Sequence, residues 1–215
     1  SCSVTNENRS PPAIAWSKPP RRARLPDGRR NRNPSPARWA SIGPARAALE
    51  RSLAAMPNAT PDTRAWFESL LGEIAQRQGD PAAEKHFRAA LAADPRDLYT
   101  LAAYGDWLLG QQRAAAVVPL VQNEPRVDAL LLRLALAQKA LRRPEADASV
   151  TILRARFDAS RARGDTVHRR EEARFQLQLN GDPKVALRLA QENWKIQREP
   201  ADLRILAEAA HATGD

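Results

Sequence analysis

The chain has a single cysteine, Cys2, so no disulfide can close within it. It has no run of eighteen apolar residues, so the sequence as given offers no membrane-crossing helix. Aromatic residues are only 5%, and β-branched residues are few, which leaves little from which to build a sheet. No Gly-x-Ser-x-Gly elbow, phosphate loop of the nucleotide-binding kind or dinucleotide fingerprint occurs. The three histidines, His86, His168 and His211, lie far apart and none has metal-ligand spacing. His168-Arg-Arg-Glu171 lacks the second His that an inverted zinc motif requires, and it reads as a polar helix start with Glu171 and Glu172 in the first turn. No metal, cofactor or catalytic residue is expected, and the chain is read as a non-enzyme.

What is present is alanine and leucine, within an apolar content of 43%. Both lose little side-chain freedom in a helix, so the composition favours an all-helical protein. The net charge of +9 is uneven. Residues 1–47 hold ten Lys and Arg against Glu7 and Asp27, together with eight of the seventeen prolines. The remainder is almost neutral. Proline removes backbone donors and like charges repel, so residues 1–47 read as a disordered basic arm. Two other readings stay open. The arm could contact nucleic acid, with Trp16 and Trp39 stacking on bases. A stretch of this composition also arises from an out-of-frame or misassembled GC-rich gene. The chain begins without Met, carries no apolar leader core, and ends with a helix pair half finished, so a fragment is expected.

From residue 48 to 215 one grammar repeats: an apolar-periodic segment, a Gly/Asp/Pro turn, and a second segment. A short helix over 45–55 ends at Pro57, and Asp62 or Thr63 is expected to cap the next, which runs to about Gln78. Its apolar residues are Trp66, Phe67, Leu70, Leu71 and Ile74. Gly79-Asp80-Pro81 then turns the chain, with Gly79 suited to a left-handed helix end and Pro81 to the first turn of the following helix. The pattern predicts about nine helices after residue 60 with no strand between them, the short one over 113–121 being interrupted by Pro119.

Gly79-Asp80-Pro81 recurs as Gly181-Asp182-Pro183, 102 residues on, which is three steps of 34. Pro95-Arg-Asp-Leu98 and Pro200-Ala-Asp-Leu203 also match, each opening a helix. A period near 34 with two helices per unit is the length of the tetratricopeptide repeat. Residues 65–95 resemble that family most: Trp66, Leu71-Gly72, Gly79-Asp80, Ala83, Phe87, Ala90 and Pro95 follow its order of tryptophan, Leu-Gly, turn, alanine, aromatic, alanine and proline. The unit is one residue short between Asp80 and Phe87. Gly72 and Ala83 are small, so two helices of a pair can approach closely.

The resemblance implies an α-solenoid of stacked antiparallel helix pairs, used as a scaffold that binds another protein or a peptide. It implies a concave groove lined by the first helix of each pair, with Glu73, Gln76, Arg77, Tyr99 and Asp106 as partner-contacting candidates. Trp107 and Trp194 are expected in the core. Nucleic-acid binding through the arm is the alternative function. Some bacterial relatives with such repeats are exported, which leans towards the periplasm.

Overall fold

The computed structural model describes residues 42–214. The basic arm up to residue 41, with Cys2, Trp16 and Trp39, lies outside the described residues, as does Asp215. Among the described residues there are ten α-helices and no strand: α1 (Ile42–Ala54), α2 (Pro61–Gln78), α3 (Ala83–Ala93), α4 (Leu98–Gly110), α5 (Ala114–Val121), α6 (Asp128–Ala140), α7 (Ala146–Ala162), α8 (Arg169–Phe175), α9 (Pro183–Ile196) and α10 (Pro200–Thr213). A π-helical turn, Gln176–Asn180, continues α8. No described helix is long and apolar enough to cross a membrane. The boundary expected between residues 47 and 48 falls inside α1, which begins at Ile42.

Local chemistry sets the helix ends. Thr60, not Asp62 or Thr63, caps α2: its hydroxyl accepts from the Thr63 backbone N–H at 3.3 Å. Pro61 follows as the first helical residue, where it has no intrahelical N–H to lose. The two Gly-Asp-Pro turns share a first half and differ in the second. Gly79 (φ 68°) and Gly181 (φ 74°) both close their helix in the left-handed region, which glycine enters without a Cβ clash. After Asp182 the next helix starts at once, Pro183 being its first residue and the Asp182 side chain accepting from Val185 N at 3.0 Å. After Asp80 the chain makes one more turn, and α3 begins only at Ala83. The Pro-x-Asp-Leu pair diverges likewise: Asp97 caps α4 from outside, accepting from Tyr99 N and Thr100 N, whereas Asp202 is the third residue of α10. Pro119 does not end α5, which runs through it to Val121.

Two turns enter the left-handed region without glycine, at Gln112 (φ 58°) and Arg142 (φ 53°). That conformation costs an L-residue about 1–2 kcal/mol, partly offset by glycine's greater loss of entropy on folding. Gln112→Gly is therefore expected to raise the unfolding free energy by about 0.5 kcal/mol, read as a higher urea midpoint at unchanged slope.

Every substantial helix–helix packing joins elements that are consecutive or next-but-one in sequence: α2 meets α3 and α4, α4 meets α5 and α6, α6 meets α7 and α8, α8 meets α9 and α10. The main buried cluster draws on α2 to α8 and the π-turn, with Phe87, Leu108, Leu130, Leu132, Leu153 and Phe175 among its closed-off side chains. A second, smaller cluster of Ala173, Leu189, Ala190 and Ile205 joins α8, α9 and α10. Each Leu-sized burial contributes about 1.5–3 kcal/mol of transfer free energy.

The buried face of α2 is not the one its largest residue suggests. Ala65, Ser69, Leu71, Gly72 and Ala75 face inward, and Trp66 stands 55% exposed with its ring edge-on to Phe67. Trp66, singled out in the sequence by its match to the repeat pattern, is thus a surface residue of α2. The inward stripe is made of small residues because α3 and α4 come close. A Cβ on Gly72 would stand 2.9 Å from Cδ1 and Cε1 of Phe87, and Ala83, Phe87 and Ala90 are fully buried opposite. Ser69 is tolerated inside because its hydroxyl donates to Ala65 O at 2.8 Å and pairs with the Thr100 hydroxyl. Trp107 is buried, while Trp194 is half-buried beneath Arg198.

Candidate functional site

The helices α2, α4, α6, α8 and α10, which touch in series, are joined by polar side chains. Tyr99, in the first turn of α4, donates its hydroxyl to Glu73 of α2, which also accepts from Arg77 at 3.1 Å. Burial and then the Glu73 carboxylate push the Tyr99 phenol well above its ordinary value, with Glu199, just before α10, adding to the push. Tyr99 is thus a neutral donor throughout the physiological range, with 48% of its surface open.

Seven residues along α4, Asp106 takes two guanidinium groups. Arg133 of α6 donates to it at 3.1 and 2.6 Å, and Arg174 of α8 at 2.5 Å. Burial pushes the Asp106 carboxyl up, but Arg133 and Arg174 together outweigh that and hold it down at about 2. Arg133 is only 6% exposed and also donates to Ala129 O at 2.8 Å. Arg174 continues the series through Gln178 (3.0 Å), which donates to Glu208 of α10 at 3.1 Å. Lys139 of α6 donates to the Gln178 and Leu179 carbonyls at 3.0 and 3.4 Å, using acceptors at the wide π-turn.

Near the start of α8, Arg170 reaches Glu199 at 2.9 Å and Asp202 at 3.4 Å. Burial lowers the affinity of Arg170 for its proton, but Glu171, Asp202 and Glu199 more than reverse this, so it stays charged. Asp202, itself buried, also accepts from Asn193 at 2.8 Å and from Glu199 N at 2.8 Å. Asn193, buried on α9, is therefore a bonded partner of Asp202.

The five sequence candidates divide as follows. Glu73, Arg77 and Tyr99 form one cluster. Asp106 belongs to the Arg133–Arg174 group. Gln76 is exposed, with no side-chain hydrogen bond among the described residues. Sequence reasoning missed Arg133, Arg170, Arg174, Gln178, Glu199 and Glu208. It also missed Trp66 as a surface group: it lies seven residues before Glu73 on α2, hence on the same helix face. One step in the sequence marks these positions: Trp66 to Tyr99, Gly72 to Gly105 and Glu73 to Asp106 are each 33 residues apart.

The geometry carries hydrogen-bonding and apolar groups on adjoining helices, and elsewhere His86 Nδ1 lies 2.8 Å from Glu68 Oε2. Among the described residues no three His, Cys, Asp or Glu side chains are placed to hold a metal ion. No family model, curated protein or solved structure matches the chain.

Proposed function

We propose that residues 42–214 are an open solenoid of helix pairs resembling tetratricopeptide repeats, and that it serves as a scaffold binding a peptide or partner helix along the face of α2, α4, α6, α8 and α10. The observation that carries this reading is the series of next-but-one packings between those five helices among the described residues, the Asp106–Arg174 ion pair being a side-chain contact that reaches further, from α4 to α8. A helix pair cannot bury its apolar stripe alone, and stacking neighbours in a row buries it while leaving an extended face.

Support also comes from large side chains that these helices leave exposed. Trp66, Tyr99 and Leu203 are exposed on α2, α4 and α10. Large amphipathic side chains are the usual anchors of a protein contact, since they bury much area at little entropic cost. The polar groups between them are mostly committed to each other, so the partner is selected by apolar anchoring and backbone hydrogen bonds more than by net charge.

Selecting peptides from a random library on the whole chain tests this. The selected ligands should lose roughly thirtyfold in affinity, about 2 kcal/mol, on Trp66→Ala or Tyr99→Ala, with the helical circular dichroism unchanged. Ligands indifferent to both substitutions would place the contact elsewhere, and a library that returns none would refute the scaffold reading.

A further inference from the structure

On α2, the exposed Trp66 and the Glu73 carboxylate that takes the Tyr99 hydroxyl lie on one face, two turns or about 10 Å apart. Trp66 and the half-exposed Tyr99 therefore offer two aromatic stations in a row. The Trp66 indole N–H and the Gln76 amide make no hydrogen bond among the described residues, so both are spare donors at these stations. Two turns further along α4, Asp106 meets Arg174 of α8 at 2.5 Å. That bridge takes up room between α4 and α8 that a partner helix, about 10–12 Å across, would need. An extended chain is about half as wide.

The rim beside Tyr99 carries surplus negative charge. Arg170 is shared by three carboxylates, Glu171, Glu199 and Asp202. The Glu199 side chain is 66% exposed, and its charge is felt at the Tyr99 phenol. Glu73, by contrast, is answered by Arg77. The repeat of an extended ligand narrows the choice further. In a β-strand, side chains on one face recur at about 6.6 and 13 Å, and neither step fits the two stations. In polyproline II every third residue returns to the same face after about 9 Å. That helix has no internal hydrogen bonds, so its carbonyls are free to accept, and proline holds it ready-made, which lowers the entropic cost of binding.

We propose that the partner on this face is a proline-rich segment in the polyproline II conformation with a basic residue at its end. Two of its rings, three residues apart, lie on Trp66 and Tyr99, as apolar rings of such segments do on aromatic side chains elsewhere. Its carbonyls accept from the Trp66 indole N–H and the Gln76 amide, and its basic residue faces Glu199. The proposal rests on the scaffold reading above and narrows it to one class of partner.

Titration calorimetry of the whole chain with a decaproline peptide carrying an arginine at each end tests it. The expected dissociation constant is about 100 µM or tighter. Trp66→Ala should weaken binding about tenfold or more, and Trp66→Phe, which keeps a ring and loses the N–H, about threefold. Both change an exposed side chain, so the fold is expected to persist, with circular dichroism as the check. Glu199→Gln should weaken the arginine-tipped peptide about threefold and leave plain decaproline unchanged. No binding at about 1 mM peptide, equal binding of a helical alanine-rich peptide with the same two arginines, or indifference to Trp66→Ala would each overturn the assignment. Library ligands that lack proline yet depend on Trp66 and Tyr99 would sink this proposal alone, whereas a library that returns no ligand sinks the scaffold reading with it.

Discussion

Asp106→Ala lowers the unfolding free energy by about 3–5 kcal/mol, a large part of what holds a domain of this size together. The cause is the cation left behind. Arg133 is only 6% exposed and its carboxylate partner is Asp106, so truncation leaves a buried guanidinium with Ala129 O as its remaining acceptor. Arg174 suffers less, being able to turn towards Gln178 and solvent. Urea unfolding measures the loss, and a value below about 1 kcal/mol would mean that the group is screened like a surface ion pair. Exchanging both members of the buried pair, Asp106→Leu with Arg133→Met, should recover most of the loss, because a buried ion pair and a well-packed apolar pair are of similar net worth.

The same group sets an acid limit. Asp106 titrates at about 2 when folded, below its ordinary value of 3.8. A carboxyl held down in this way stabilises the fold fully above its ordinary value, and the contribution fades as pH falls towards 2. Allowing for the partial exposure of the side chain, the amount lost is on the order of 1–2 kcal/mol. Asp106→Asn should remove that part of the acid dependence in unfolding curves taken between these pH values.

Phe87→Ala has a comparable expected cost, about 3–5 kcal/mol. The ring is fully buried, lies against Gly72, and stacks on Tyr104 at 5.6 Å between ring centres. Its removal leaves a cavity that α2 and α3 cannot close without shifting the α4 contact as well. Gly72→Ala approaches the contact from the other side. Alanine is favoured over glycine in a helix by about 1 kcal/mol, yet its methyl would meet a ring that has nowhere to go, so a net loss of about 1–2 kcal/mol is expected. Gly105 is the internal comparison. A Cβ there meets nothing nearer than 3.5 Å, so Gly105→Ala should gain up to about 1 kcal/mol. In a Phe87→Leu background the Gly72→Ala penalty should shrink or reverse. An unchanged penalty would show that the glycine serves something other than this ring.

Helices were legible in the sequence wherever periodicity and punctuation agreed. The left-handed end at Gly79 could be read from local rules, and the small residues Gly72, Ala83 and Ala90 were picked out by the resemblance to the repeat pattern. The direction of Trp66 could not, because a helix face is chosen by its neighbours, and here the close approach of Phe87 selects the small side of α2. Identical motifs were used in different registers, as Asp97 and Asp202 show, since a cap depends on where the preceding chain arrives. Of the residues grouped here, Glu73, Arg77, Tyr99 and Asp106 were singled out in the sequence, and their bonding partners on other helices were not. Arg133 and Arg174 look like ordinary surface arginines in sequence, and only packing brings both to Asp106, Arg174 from 68 residues away.

The division of the apolar interior into two clusters has a consequence for how such a chain can change in length. No fully buried member of the larger cluster comes from beyond Leu179. The last two helices are attached through Ala173, Leu189, Ala190 and Ile205 and the bonds around Asp202. Disturbing or removing α9 and α10 should therefore leave the packing around Phe87 and Leu130 as it is.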